Sequence, residues 1–180
     1  MTAAPSSSLP EDLESTLAAS GPRSEPERLV ERLRDLGWTL GIAESLTGGL
    51  VAASVVAVPG ASAVFRGGVV AYATDLKASL LWVDATLLEV HGPVHPRVAR
   101  QMADGIRRAV GDDHGPADVG IATTGIAGPV SDDGQPVGTV HVAVSTPLGS
   151  RVESLRLTGD RTQIRTEATA RAVLLALDAL

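Results

Sequence analysis

Two short apolar runs in this chain each end in a glycine-rich loop, and this recurrence restricts the fold more than any other feature. The first run, Thr39 to Ala43, breaks at Glu44-Ser45-Leu46-Thr47-Gly48-Gly49. The second, Asp118 to Thr124, breaks at Gly125-Ile126-Ala127-Gly128-Pro129. Short apolar runs bounded by turn residues read as buried strands. A strand that feeds a glycine turn and then a helix is the repeating unit of an α/β sheet.

Helix signals fill the spaces between. Ser24 with Glu27 forms a capping-box pattern, Leu29, Leu33 and Leu36 follow on one face, and Gly37 supplies a left-handed stop. The segment Leu50 to Val58 reads as a helix because it follows a strand and a glycine turn, and Pro59-Gly60 closes it. A second strand is expected from Gly68 to Tyr72, then a helix from Thr74 to Leu81 and another from Asp84, its N-cap, to His91. Pro96 opens an amphipathic helix carrying Val98, Met102, Ile106 and Val110. Thr139–Thr146 and Arg151–Leu157 form a hairpin around Pro147-Leu148-Gly149. A final helix starts near Asp160, with Gln163 completing a capping box and Ile164, Ala168, Val173 and Leu177 along it. The pattern predicts an α/β fold: a three-layer αβα sandwich around a mixed, mostly parallel sheet, occupying residues 24–180. Residues 1–23, rich in Ser, Ala and Pro, read as a disordered tail.

Composition narrows the function classes. The only aromatic residues are Trp38, Phe65, Tyr72 and Trp82, so the core must be aliphatic. A net charge of −6 argues against a nucleic-acid partner, because phosphate neutralisation needs clustered Lys and Arg. The absence of cysteine excludes disulfides, thiolate zinc sites and a cysteine nucleophile. No apolar run reaches the roughly 18 residues of a membrane helix. No signal-peptide pattern precedes the domain, so a cytoplasmic protein without a membrane partner is expected.

Both loops follow strand ends, where open α/β sheets bind ligands. In the first, amides near Gly48 and Gly49 can face an anion, and Ser45 can be a nucleophile at a strand-to-helix turn; equally, Ser45 and Thr47 can be helix caps. The loop is not a G-x-S-x-G elbow, since Ala43 and Thr47 occupy the glycine positions. The second loop suits a phosphate or ribose, or is a long surface turn. It matches neither the Walker nor the dinucleotide fingerprint. A serine nucleophile needs a base. None of His91, His95, His114 and His141 has an Asp relay by spacing, whereas Lys77 is the sole lysine of the chain. A helix lysine is either a solvated charge or, with a lowered pKa, a base. Tyr72, at a strand end five residues earlier, is a rim residue or its neighbour. Asp112-Asp113 and Asp132-Asp133 read as solvated loop charges, and no metal-ligand spacing occurs.

Five stretches occur in an order that resembles the CinA C-terminal-domain family, the stand-alone nicotinamide-nucleotide amidases. They are Ala43 to Gly49, Val58-Pro59-Gly60-Ala61-Ser62, Gly67 to Tyr72, Thr124 to Pro129, and Pro136-Val137-Gly138-Thr139-Val140. The resemblance runs from about Glu27 to the C-terminus. It implies hydrolysis of the carboxamide of nicotinamide mononucleotide to nicotinate mononucleotide and ammonia. Ser45 would be the nucleophile, Lys77 its base and Tyr72 an assistant. Amides near Thr47 and Gly48 would stabilise the oxyanion, with Glu44 and Gly49 completing that loop. Thr124, Gly125 and Gly128 would hold phosphate or ribose, and Arg161 or Arg165 would reach the phosphate. The resemblance further implies a homo-oligomer that uses no metal or organic cofactor.

Three positions depart from the family pattern: Leu46 stands where a cysteine is usual, Ala73-Thr74 replaces Ser-Asn after Tyr72, and His95 replaces a serine and is expected to be a poor N-cap. Longer relatives carry an N-terminal domain resembling molybdopterin-binding proteins, whose activities are not carried over. The alternatives are an idle nucleotide- or partner-binding module and an amidase for another small amide. Contact between Ser45 and Lys77, at about 2.6–3.2 Å, separates catalysis from binding alone.

Overall fold

The computed structural model describes residues 23–130 and 134–180. Nearly all of the predicted tail, and Asp132-Asp133, lie outside the described residues.

Helix α1 (Glu25–Leu36) begins as its sequence requires: the Ser24 amide and hydroxyl both donate to Glu27 at 2.8 Å. It ends at Gly37, whose φ of 66° lies in the left-handed region where a Cβ is penalised. Strand β1 (Leu40–Glu44) follows, then α2 (Leu50–Val56), β2 (Phe65–Val70), α3 (Thr74–Leu81), α4 (Ala85–His91) and α5 (Pro96–Ala109). Strands β3 (Val119–Gly125), β4 (Thr139–Thr146) and β5 (Gly149–Arg156) precede α6 (Arg161–Asp178). The Asp84 carboxylate accepts amides of Thr86 and Leu87 at the head of α4, and Asp160 accepts that of Gln163 at the head of α6.

The sheet order is β2-β1-β3-β4-β5. β2, β1 and β3 are mutually parallel, and β4 pairs antiparallel with both β3 and β5. β4 is therefore the one reversed strand, and the closing hairpin makes a mostly parallel sheet mixed. β2 begins and ends earlier than Gly68–Tyr72. Its register against β1, Leu40 with Phe65 to Glu44 with Val70, is exhausted where β1 turns into its loop. Among the described residues no helix is long and apolar enough to cross a membrane.

The two sheet faces are built differently. Leu40, Ile42, Val119, Ile121, Val140, Val142 and Val144 pack against α1, α2 and α6. Such burial contributes about 1.5–3 kcal/mol per large aliphatic side chain. The opposite face carries Ala43, Ala122 and Ala143 in its core, covered by α3, α4 and α5. Its glycines mark the closest approach: a Cβ on Gly120 would lie 2.0 Å from the Ala103 carbonyl oxygen, and one on Gly41 2.7 Å from Val110. α5 thus lies nearly on the sheet backbone. No aromatic side chain is among the buried core residues, in line with the composition.

Because β1, β2 and β3 run parallel, their C-terminal ends open on one edge. The Ser45 loop, Tyr72 and the Gly125–Gly128 segment all leave the sheet there.

Candidate active site

The first residue beyond β1 is Ser45, and its amide donates to the Thr123 carbonyl oxygen at 3.0 Å, continuing the ladder with β3. Its hydroxyl faces Lys77, one turn into α3. Lys77 Nζ donates to Ser45 Oγ at 3.2 Å and to the Ala71 carbonyl oxygen at 2.7 Å. Ala71 is fixed in turn, its amide donating to the Glu44 carbonyl oxygen at 2.8 Å. Lys77 is 1% exposed and Ser45 7%, so the pair is almost shut off from solvent. The sole lysine of the chain is thus a buried group in contact with the candidate nucleophile.

The loop after Ser45 is held from two sides. Glu44, 1% exposed, curls back onto the start of α2 and accepts the amides of Gly49 at 2.9 Å, Val51 at 3.2 Å and Ala52 at 2.8 Å. Its carboxylate takes one of the glycine amides that the sequence suggested for an anion, that of Gly49, together with two at the start of α2. From α6, Arg165 donates Nε to the Leu46 carbonyl oxygen at 3.0 Å and a terminal nitrogen to that of Thr47 at 2.9 Å. That guanidinium lies against the loop backbone, 3.4 Å from where a Gly48 Cβ would stand. Thr47 is fully buried, its hydroxyl 2.7 Å from that of Thr123. Of the two amides nominated for an oxyanion, that of Gly48 closes onto the Ser45 carbonyl oxygen at 3.1 Å, which leaves that of Thr47.

A cavity of about 250 Å³ opens over Ser45 and Lys77, walled by Leu46, Tyr72, Thr74, Pro93, Val94, the strip Thr124 to Gly128, Val130 and Arg161. Thr124 reaches it from the end of β3, although its hydroxyl donates to the Pro93 carbonyl oxygen at 2.8 Å. Arg161, one turn before Arg165, donates to the Gly128 carbonyl oxygen at 2.7 Å and to the Tyr72 hydroxyl at 3.1 Å. Tyr72 is 60% exposed and stands at the mouth. Ser45, Lys77, Tyr72, Thr124, Gly125, Gly128 and Arg161 therefore converge on one cavity, whereas Glu44, Thr47, Gly48, Gly49 and Arg165 are not among the residues that line it.

Pro93 and Val94 were not anticipated in that wall; the Gly92-Pro93 turn was the sequence signal for a loop there. They precede His95, which proves to be a working N-cap. Its Nδ1 accepts the Arg97 amide at 3.2 Å, since a neutral imidazole nitrogen offers the lone pair a serine oxygen would. The His95 ring stacks on His91 at 4.7 Å. Burial first, then the positive charges of His91 and Arg97, holds His95 below the ordinary histidine value of 6.5. His141, 7% exposed on β4 and 2.9 Å from the Ser154 hydroxyl, is lowered likewise by burial and then by His95 and Arg156. None of the histidines is among the residues that line the cavity.

Comparison with known proteins bears on the family and the fold. The chain is 50% identical over 135 residues, 75% of its length and 30% of the relative's, to a CinA-like protein of Frankia casuarinae. It spans about a third of the length of the curated relatives it matches. A crystal structure of a competence-damaged protein (CinA) superfamily protein from Klebsiella pneumoniae matches with a TM-score of 0.79 at 33% identity, covering 86% of this chain and 94% of that one. A competence/damage inducible protein from Agrobacterium tumefaciens matches with a TM-score of 0.74 at 34% identity, covering 88% and 99%. The family model described as CinA C-terminal domain matches residues 23–180, and with that match the chain belongs to the CinA C-terminal domain family.

Proposed function

We propose that the protein is an amidase that hydrolyses the carboxamide of nicotinamide mononucleotide to nicotinate mononucleotide and ammonia. The observation that carries this reading is the buried contact between Lys77 Nζ and Ser45 Oγ at the floor of the cavity. A serine hydroxyl is a weak nucleophile until a base takes its proton, and removing an ammonium from water favours the neutral amine that can do so. A binding module has no need to bury its one lysine against a serine.

In the neutral state Nζ keeps one N–H on the Ala71 carbonyl and turns its lone pair toward Oγ. As Oγ attacks the amide carbon, its proton passes to Nζ, and the developing oxyanion draws on backbone amides of the serine loop. Lys77 then returns the proton to the leaving nitrogen, the C–N bond breaks and ammonia departs. Water, deprotonated by Lys77, attacks the acyl-serine; the C–Oγ bond breaks, Lys77 returns the proton to Oγ and the acid is freed. Arg161, exposed at the mouth, is placed to exchange its hydroxyl and carbonyl partners for the substrate phosphate, which it can grip through paired N–H donors. Tyr72 flanks it. No metal or organic cofactor enters this chemistry.

A second reading, an amidase for another small amide, is favoured by Leu46, a residue of the cavity wall that stands where the resemblance leads one to expect a cysteine. Ammonia release by the purified protein from nicotinamide mononucleotide, nicotinamide riboside and free nicotinamide decides between them. Turnover confined to the mononucleotide supports the proposal. Turnover of a phosphate-free amide alone supports the second reading. No turnover of any of them by folded protein removes both.

A further inference from the structure

We propose that Arg165 is a positioning residue for the serine chemistry. It acts through the nucleophile loop, without touching substrate, and this rests on the amidase reading. The argument begins with the peptide unit. A trans peptide is planar, so its C=O and N–H point in opposite directions, and fixing one fixes the other. Arg165 grips the Leu46 carbonyl, at 3.0 Å, and that carbonyl belongs to the same peptide plane as the Thr47 amide. The second contact, to the Thr47 carbonyl at 2.9 Å, fixes the next plane as well. With two contacts from a rigid guanidinium fork, the loop backbone can neither rock nor flip.

Glu44 completes the clamp from the other end. It takes the amide of the last loop residue, Gly49, at 2.9 Å and two at the start of α2, while Arg165 takes the carbonyls within the loop. Arg165 itself is half-buried and absent from the cavity wall, unlike Arg161 one helical turn earlier. A helix turn places the two guanidinium groups on one face of α6 with separate tasks. Arg161 meets the contents of the cavity, and Arg165 orients the backbone behind it.

The test uses Arg165→Gln and Arg165→Lys in the full chain. One readout is steady-state ammonia release. The other is the rate at which diisopropyl fluorophosphate modifies Ser45, followed by mass spectrometry. That reagent carries no nucleotide, so its rate reads nucleophile and oxyanion alignment alone. Deleting an oxyanion donor outright costs about 10²–10³ in kcat. Misaligning one should cost roughly 10- to 100-fold for Gln and less for Lys, which reaches one carbonyl but not both. The expected result is a fall in kcat with KM nearly unchanged and a matching fall in the modification rate. Thermal unfolding of both variants shows whether the domain stays folded; if Gln does not, Lys decides.

A raised KM with unchanged kcat and modification rate would make Arg165 a substrate ligand and overturn the proposal. Unchanged values throughout would overturn it too. If wild type is modified at Ser45 but releases no ammonia from the mononucleotide, the amidase reading falls, and the variants' modification rates still decide the role of Arg165. A wild-type Ser45 inert to both would remove both.

Discussion

Lys77 and Ser45 meet 3.2 Å apart although they belong to different strand–helix units, the serine at the end of β1 and the lysine on the helix after β2. The parallel pairing of those strands makes the contact possible, because it brings the two loops to one edge. The Ala71 carbonyl then holds Nζ from behind.

Removing either member of the pair should abolish ammonia release while leaving the fold intact. Lys77→Met, close in volume, is expected to lower kcat by about 10²–10⁴-fold, the span of general-base catalysis. Ser45→Ala should remove modification by fluorophosphate altogether. Circular dichroism and thermal unfolding check that the domain survives. Activity within threefold of wild type in Lys77→Met would assign the base elsewhere.

Glu44→Gln tests the structural role of a residue first expected at the substrate. A carboxylate accepts three amides here, whereas a carboxamide offers one acceptor oxygen and sets an NH2 group against amide donors. The expected loss is about 2 kcal/mol of unfolding free energy in urea. A variant as stable as wild type but with raised KM would return Glu44 to the binding site.

Gly120→Ala should destabilise the domain by about 3 kcal/mol, the upper part of the range for overpacked cores. The added methyl meets the Ala103 carbonyl oxygen at 2.0 Å, and a backbone atom cannot swing aside as a side chain can. Gly37→Ala is the contrast. It has open space around it but a left-handed φ of 66°, so its cost is that of backbone conformation alone, about 1 kcal/mol. Urea unfolding of both variants separates lack of room from lack of conformational freedom.

Acid should loosen the head of α5. His95 and His141 both titrate below 6.5 in the folded state, chiefly through burial. The unfolded chain therefore binds protons first as pH falls. The stability contributed by the neutral rings is full above pH 6.5 and is lost as the pH falls from there through their folded values. Protonated His95 can no longer accept the Arg97 amide, and it repels His91, Arg97 and His141. His95→Ser keeps a cap without the charge, so its unfolding midpoint should decline less between pH 7.5 and 5.5 (roughly a two-unit window about the free histidine pKa). Parallel declines in the two proteins would assign the acid sensitivity elsewhere.

Much of this molecule can be read from local chemistry. The capping boxes at Ser24 and Asp160, the Gly37 stop and the span Thr74–Leu81 depend on neighbours a few residues away, and each stands where the pattern puts it. Ser45, Lys77, Tyr72 and Arg161 reach one cavity because the loops that carry them leave the same sheet edge. What could not be read is which partner a polar side chain takes. Glu44 and Arg165 looked like ligands because each sits beside a binding motif, yet Glu44 accepts the amides of Gly49 and the start of α2, and Arg165 donates to carbonyls of the loop. His95 looked unsuited to capping because the capping preference reflects oxygen acceptors, whereas a neutral imidazole supplies a nitrogen one.

The attachment of α6 to the site sets an order of events during synthesis. A ribosome delivers Ser45, Tyr72, Lys77 and the Gly125–Gly128 strip well before it delivers Arg161 and Arg165. Until that helix docks, the nucleophile loop has no clamp on its carbonyls and the mouth has no guanidinium between Tyr72 and Gly128. A nascent chain thus holds serine and lysine in an unfinished vessel, whose last wall arrives with the C-terminal helix.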